Sequence, residues 1–260
     1  MQLEGRVALV TGAGIRLGRA VSEALAARGM RLALHYRQHG EEAEQLASSI
    51  RWSRGQHASP ASGADGARTG PPEAGCFAGD LADPTSMAAL AASVEERMGP
   101  VDALVLSAAI YPRQPFRDIT PEALEEALRV NLSSPFLLAS EIGRRMLERQ
   151  SGHIVILLDW SLDRPYVDRL PYTLAKAGLR AAVPGLARAL APHVRVNGIA
   201  PGAVLLPEGT SPELTERIRR ASLLQTIGKP GDIAEAVIYL LQSRFVTGSI
   251  LTVDGGRAVA

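Results

Sequence analysis

The chain contains one cysteine, Cys76. That excludes an internal disulfide framework and a thiolate metal cluster, so no bound metal is expected, and it fits a reducing cytoplasm. An excess of either charge is also missing. The 28 Lys and Arg nearly balance the 27 Asp and Glu, for a formal net charge of +1; a nucleic-acid binder would carry a strongly basic footprint. Lysine itself is scarce, with only Lys176 and Lys229 present. Scattered arginines therefore say little here, and a well-placed lysine says more. No apolar run approaches the roughly eighteen residues of a membrane-spanning helix. The N-terminus reaches an apolar strand by Val7 without a signal-peptide layout. These absences describe a soluble intracellular protein with no nucleic-acid or membrane partner. Its 260 residues, 46% of them hydrophobic, suffice for a large buried core.

What is present is alternation. Short apolar runs at Val7–Thr11, Arg31–His35, Cys76–Ala78, Ala103–Leu106, His153–Leu158, Arg195–Ile199 and Ile250–Val253 read as strands. Most lack the polar alternation of a half-exposed sheet, as parallel strands covered on both faces do. Helical patterns lie between them. Asp83-Pro84, Thr120-Pro121 and Ser211-Pro212 each place a capping residue before a proline at the first helical position. Gly29 and Gly99 stand where helices should stop. The pattern predicts an α/β fold with right-handed crossovers and one doubly wound sheet over residues 1–260, with no second domain. Residues 54–75 break it: rich in Gly, Pro, Ser and Ala, they offer little to bury against the entropy of ordering. We read them as a mobile surface insertion rather than a substrate lid.

Thr11-Gly12-Ala13-Gly14-Ile15-Arg16-Leu17-Gly18 follows the first strand and opens a helix. Gly12 permits a tight turn, Gly18 lets helix and strand pack closely, and the helix N-terminus offers free N–H groups to a pyrophosphate. At the end of the second strand, His35-Tyr36-Arg37 contains no acid to bind a ribose 2′-hydroxyl. Arg16 and Arg37 instead suit a 2′-phosphate, which predicts NADP(H). Further on, Tyr172 and Lys176 stand four residues apart, on one face of one helix. An ammonium there should lower the phenol's pKa and make Tyr172 a usable proton donor near neutrality.

The glycine turn, Asp80-Leu81, Asn131, Tyr172-x-x-x-Lys176, Pro201-Gly202 and Val253-Asp254-Gly255-Gly256 occur in that order. Together they resemble the short-chain dehydrogenase/reductase family over nearly the whole chain. The resemblance implies a Rossmann-type sheet of about seven parallel strands and, as in many relatives, a homotetramer. It implies that Tyr172 is the general acid/base, that Lys176 binds the nicotinamide ribose, and that Asn131 holds a water in a proton relay from within the helix before the fifth strand. Cofactor contacts are expected from Gly12, Arg16, Leu17, Gly18, His35, Tyr36, Arg37, Asp80, Leu81, Ser107, Ala108, Ala109, Tyr172, Lys176, Pro201 and Gly202.

Departures from the family pattern narrow the reading. Arg16 replaces the middle glycine of the turn, and Leu106-Ser107-Ala108-Ala109 replaces Asn-Asn-Ala-Gly. Asp159 holds the usual serine place thirteen residues before Tyr172, with Ser161 two residues on. With His35-Tyr36-Arg37 and the Pro201–Glu208 stretch, these features resemble the pteridine reductase branch. There an NADPH-dependent enzyme adds hydride to a C=N bond of a dihydropterin. The chemistry agrees: an ionised Asp is acceptor-only and would repel a developing oxyanion, but it suits the ring N–H and amino donors of a pterin. Two other readings stay open. If Ser161 takes the serine role, a carbonyl reductase for a 3-oxoacyl thioester or a sugar follows. A non-catalytic nucleotide-binding regulator on the same fold is the other.

Overall fold

The computed structural model describes residues 1–57, 73–207 and 209–260. Its strands are β1 (Val7–Thr11), β2 (Arg31–Tyr36), β3 (Ala74–Ala78), β4 (Val101–Leu106), β5 (Gly152–Leu157), β6 (Val194–Pro201) and β7 (Ile250–Val253). They form one seven-stranded sheet in the order β3-β2-β1-β4-β5-β6-β7, and every pairing is parallel. The expected α/β fold with a single doubly wound sheet is what forms.

Residues alternate along β1 between two cores. Val7 and Leu9 face α3 (Met87–Met98), α5 (Ser134–Glu148) and α6 (Leu170–Leu190) through Val94, Ile142 and Val183. Ala8 and Val10 face α1 (Arg16–Ala27), α2 (Gly40–His57) and α8 (Pro230–Gln242) through Leu25, Leu46 and Val237. Burial on both faces is why the inner strands carry no polar alternation; the edge strand β7 is only partly buried. Among the described residues, no helix is long and apolar enough to cross a membrane.

Helix ends follow the capping residues. Thr120 Oγ1 accepts from Ala123 N at the start of α4 (Pro121–Leu128), and Ser211 Oγ accepts from Leu214 N at the start of α7 (Pro212–Arg220). Gly29 and Gly99 take the expected positive φ. Asp83-Pro84 differs. The proline opens a 3₁₀ turn over Pro84–Ser86 and α3 begins only at Met87. Asp83 Oδ1 is spent on Thr85, accepting from its N at 3.0 Å and its Oγ1 at 2.6 Å, which tightens that first turn.

The segment expected as an insertion over 54–75 is narrower at both ends. Residues 54–57 continue α2, and Ala74 and Gly75 begin β3, pairing with Leu32 and Ala33. Ladder hydrogen bonds to β2 outweigh a composition that by itself reads as a loop. Residues 58–72 lie outside those described.

Candidate active site

The C-terminal ends of β1, β2, β4, β5 and β6 open onto one cleft of about 1000 Å³. Sheet order reverses between β1 and β4, and ligands of open α/β sheets bind at such a point. Every residue expected to contact the cofactor lines this cleft, as does Asp159.

The turn after β1 is shaped by close backbone approaches. Gly12 has φ +65°, and a Cβ there would lie 3.0 Å from the Ala108 Cα; a Cβ on Gly18 would collide with the Gly12 carbonyl. Thr11 Oγ1 accepts from Ser107 N and Ala108 N, each at 3.0 Å, tying the end of β1 to that of β4. Ile15, at the helix cap, supplies no side-chain acceptor. The first N–H groups of α1 are thus left for an anion, and the missing Cβ atoms leave a cradle a pyrophosphate fits. Arg16 sits in the left-handed region at φ +53°, the conformation a glycine would adopt freely. Its guanidinium donates to Leu205 O at 3.1 Å.

His35 is buried and acts as a clasp. Its Nδ1 accepts from Gly12 N at 3.4 Å and its Nε2 donates to Gly79 O at 3.2 Å, a tautomer fixed by these two partners. Burial pulls its pKa down to about 4, so the ring is neutral at physiological pH. Its main contribution is to join the phosphate turn to the loop that carries Asp80. Arg37, exposed at the rim, lies 3.5 Å from Asp80 Oδ1.

At the other end of the cleft, Tyr172 OH donates to Asp159 Oδ2 at 2.9 Å, and Asp159 Oδ1 accepts from Ser161 N at 2.8 Å. Lys176 Nζ donates to Leu157 O at 2.7 Å. The expected lowering of the phenol's pKa is corrected here. Burial, the Asp159 charge and the bond to Asp159 hold the Tyr172 proton well above its usual range, because a phenolate would form out of water beside an anion. Lys176, also buried, is pulled down to about 8 by desolvation, with Asp159 working the other way. Tyr172 is therefore a proton-loaded donor.

Asp159, not Ser161, faces Tyr172. Ser161 is fully buried in the 3₁₀ turn Trp160–Asp163, its Oγ has no partner among the described residues, and it does not line the cleft. Asn131 lies, as expected, within the helical run that precedes the fifth strand. It lies in a π-turn, Arg129–Ser133, between α4 and α5. Its Oδ1 accepts from Ile110 N at 2.9 Å and its Nδ2 donates to Ile110 O at 3.0 Å. The amide is spent on that peptide group and does not line the cleft, so the side chain fixes the loop after β4. Glu208, part of the stretch likened to bacterial pteridine reductases, lies outside the described residues.

Several site residues were not singled out from the sequence. Tyr111 packs edge-on against Tyr172, with ring centroids 4.6 Å apart. Tyr166 meets both Tyr111 and Trp160 at 6.1 Å, and Trp160 Nε1 donates to Tyr166 OH at 3.1 Å. Arg169 stacks over Tyr111 at 3.9 Å and Arg257 over Trp160 at 4.5 Å. The available signal was scarcity: the chain has only five tyrosines and two tryptophans, and loop aromatics in so aromatic-poor a sequence mark a surface built for contact. Among the described residues, no group of His, Cys, Asp and Glu gathers to hold a metal.

Comparison with known proteins fits this geometry. The family model described as Enoyl-(Acyl carrier protein) reductase matches residues 12–258. D-threitol dehydrogenase of Mycolicibacterium smegmatis is 31% identical over 268 residues, covering 99% of this chain and 95% of its own. Versicolorin reductase 1 of Aspergillus parasiticus is 30% identical over 276 residues, covering 98% and 97%. Among solved structures, FolM alternative dihydrofolate reductase 1 from Brucella canis, complexed with NADP, superposes with a TM-score of 0.87. It is 28% identical and covers 100% of this chain and 96% of that one. Agreement that runs from the phosphate turn past the last strand goes beyond a shared architecture: the chain belongs to the short-chain dehydrogenase/reductase family of oxidoreductases and, within it, is similar to the pteridine reductase branch.

Proposed function

We propose that this NADP(H)-dependent oxidoreductase reduces a C=N bond of a dihydropterin or a related heterocycle. The observation that carries the reading is the Asp159–Tyr172 pair. A carboxylate with both oxygens accepting stands where a carbonyl reductase would present a hydroxyl donor, and the nearby Ser161 hydroxyl is buried off the cleft. An acceptor at that place suits ring N–H and amino donors and opposes an oxyanion. NADPH supplies the hydride when bound. The chain's own part is to seat the pyrophosphate on the N-terminus of α1 and to offer Arg16 and Arg37 to the 2′-phosphate. Lys176 would hold the nicotinamide ribose, and Tyr172 would deliver a proton to the nitrogen as hydride reaches the carbon. A regulator without catalysis would have no use for a proton-loaded phenol beside a buried ammonium.

The named relatives weigh toward a second reading. A threitol dehydrogenase and a versicolorin reductase favour a carbonyl–alcohol pair, with a 3-oxoacyl thioester or a sugar as substrate. Exchanging Asp159 separates the two. Under the pterin reading, Asp159→Ser lowers dihydropterin reduction by about 10²-fold, the scale of a lost acid–base partner, while Ser161→Ala is mild. NADPH oxidation with a dihydropterin and with a 3-oxoacyl thioester reads both variants. Thioester turnover without pterin turnover, unaffected by Asp159→Ser, would transfer the assignment to a carbonyl substrate.

We also place this chain in a homotetramer. Phe136 and Leu137 of α5 and Leu174 of α6 are exposed apolar residues that a symmetry-related copy would cover. Sedimentation velocity is expected to show a tetramer, and a monomer at micromolar concentration would remove this claim.

A further inference from the structure

We infer that the substrate end of the cleft recognises an anionic group, a carboxylate or a phosphate, carried by the substrate away from its reacting ring and held by Arg169, Arg217 and Arg257. The inference rests on Tyr172 as the proton donor, which both substrate readings share. All three arginines line the cleft. Among the described residues, no carboxylate pairs with any of them. The acids nearby are already engaged: Asp168 with Arg113 at 2.9 Å, and Asp159 with Tyr172 and the Ser161 N–H. Arg217 is telling against its own helix. Its neighbours Arg219 and Arg220 share Glu216 at 2.6 Å each, while Arg217 turns to the cleft.

The aromatic row explains how the cations are presented. Arg169, Tyr111, Tyr166, Trp160 and Arg257 form one continuous series, with a guanidinium laid over the ring at each end. Stacking engages the face of a guanidinium and leaves its N–H edge for a bidentate acceptor. Burial and neighbouring groups push the Tyr111 and Tyr166 phenols up, so the row itself stays neutral. Arg169 already gives one N–H, from Nη1, to Tyr111 O at 2.9 Å; a neutral substrate would leave the rest of its edge, and Arg217 and Arg257, without an acidic partner among the described residues. An acidic one would meet up to three guanidinium donors in the cleft, two of them held by their stacking on Tyr111 and Trp160, where screening is weaker than on an open surface.

The test compares paired substrates that share a reacting centre and differ in charge. 7,8-Dihydrofolate with its acidic tail is set against dihydrobiopterin with its neutral one. A 3-oxoacyl coenzyme A, rich in phosphate, is set against the matching N-acetylcysteamine thioester. Within the pair that is turned over, the acidic member is expected to have the higher kcat/KM by about tenfold or more, the scale of one charge-assisted contact. That ratio should fall several-fold in 0.5 M salt, and by about tenfold in Arg257→Ala and in Arg217→Ala. Binding of the same pairs, read by quenching of Trp160 fluorescence in a Trp52→Phe background, gives the ratio without turnover. A ratio near one in wild type, or one unmoved by salt and by both substitutions, overturns the anion site. Selectivity for coenzyme A without pterin turnover would overturn the pterin reading and leave the anion site standing.

Discussion

Tyr172→Phe is expected to lower turnover by about 10²–10⁴-fold while NADPH affinity stays within about twofold. The substitution removes one oxygen. The Phe ring can still pack edge-on against Tyr111, and the helix is unchanged. What goes is the O–H that donates to Asp159 Oδ2 at 2.9 Å and that, in the proposed mechanism, protonates the substrate. Asp159 is only partly buried, so water can replace the lost donor and the fold should hold. Stopped-flow NADPH oxidation with a saturating substrate, beside fluorescence titration of NADPH, separates chemistry from binding. Near-normal turnover in the variant would move the proton donor to another group.

Lys176→Met should abolish measurable turnover and, at the same time, stabilise the protein. Lys176 is buried and its pKa is drawn from 10.5 down to about 8, chiefly by desolvation. The unfolded chain therefore holds its proton over a pH range in which the folded chain gives it up. Below about pH 8 folding bears the full cost of the buried charge, on the order of 3 kcal/mol. Between pH 8 and 10.5 that cost is relieved, so the stability of the native sequence rises with pH through this window. Methionine has a similar length and no charge. The bond to Leu157 O is lost with the ammonium, an offset of about 1 kcal/mol. A net gain of about 1–2 kcal/mol at pH 7 corresponds to a melting temperature several degrees higher. The gain should shrink as pH approaches 10.5. A variant less stable than the parent at pH 7 would mean that the bonds of Lys176 outweigh its burial. The expected opposition between stability and activity at one residue is a frequent mark of active sites.

Much of the sheet could be read from the sequence because its strands are buried on both faces. Val7–Thr11, buried throughout, is placed to the residue, and so is the partly exposed edge strand Ile250–Val253, on its β-branched residues. One gap is at β3, where Ala74 and Gly75 have no strand propensity of their own and are recruited by pairing with β2. Helix α2 likewise runs on through a Gly- and Arg-containing end that composition alone would release. The Tyr–Lys spacing placed both side chains on one face of one helix, but spacing carries no information on burial. The direction of the Tyr172 shift therefore came out reversed. Asp159 against Ser161 was undecidable from the chain because the outcome depends on a 3₁₀ turn, which buries Ser161 and leaves Asp159 facing Tyr172. The aromatic row is assembled from loops, where no periodicity exists to read.

The all-parallel pairing has a consequence for how the cleft comes into being. No strand in this sheet finds its partner through a hairpin; each pairing closes over a crossover or a longer detour, and β1 with β4 closes over nearly a hundred residues. Such non-local contacts form slowly, because loop-closure entropy is lost before the contacts return anything. The phosphate turn and the Tyr172 helix lie on opposite sides of that closure. A nascent or half-folded chain thus has no complete dinucleotide site, and the ligand cannot act as an early template. It acts instead on the finished fold, by mass action, drawing down the population that reopens.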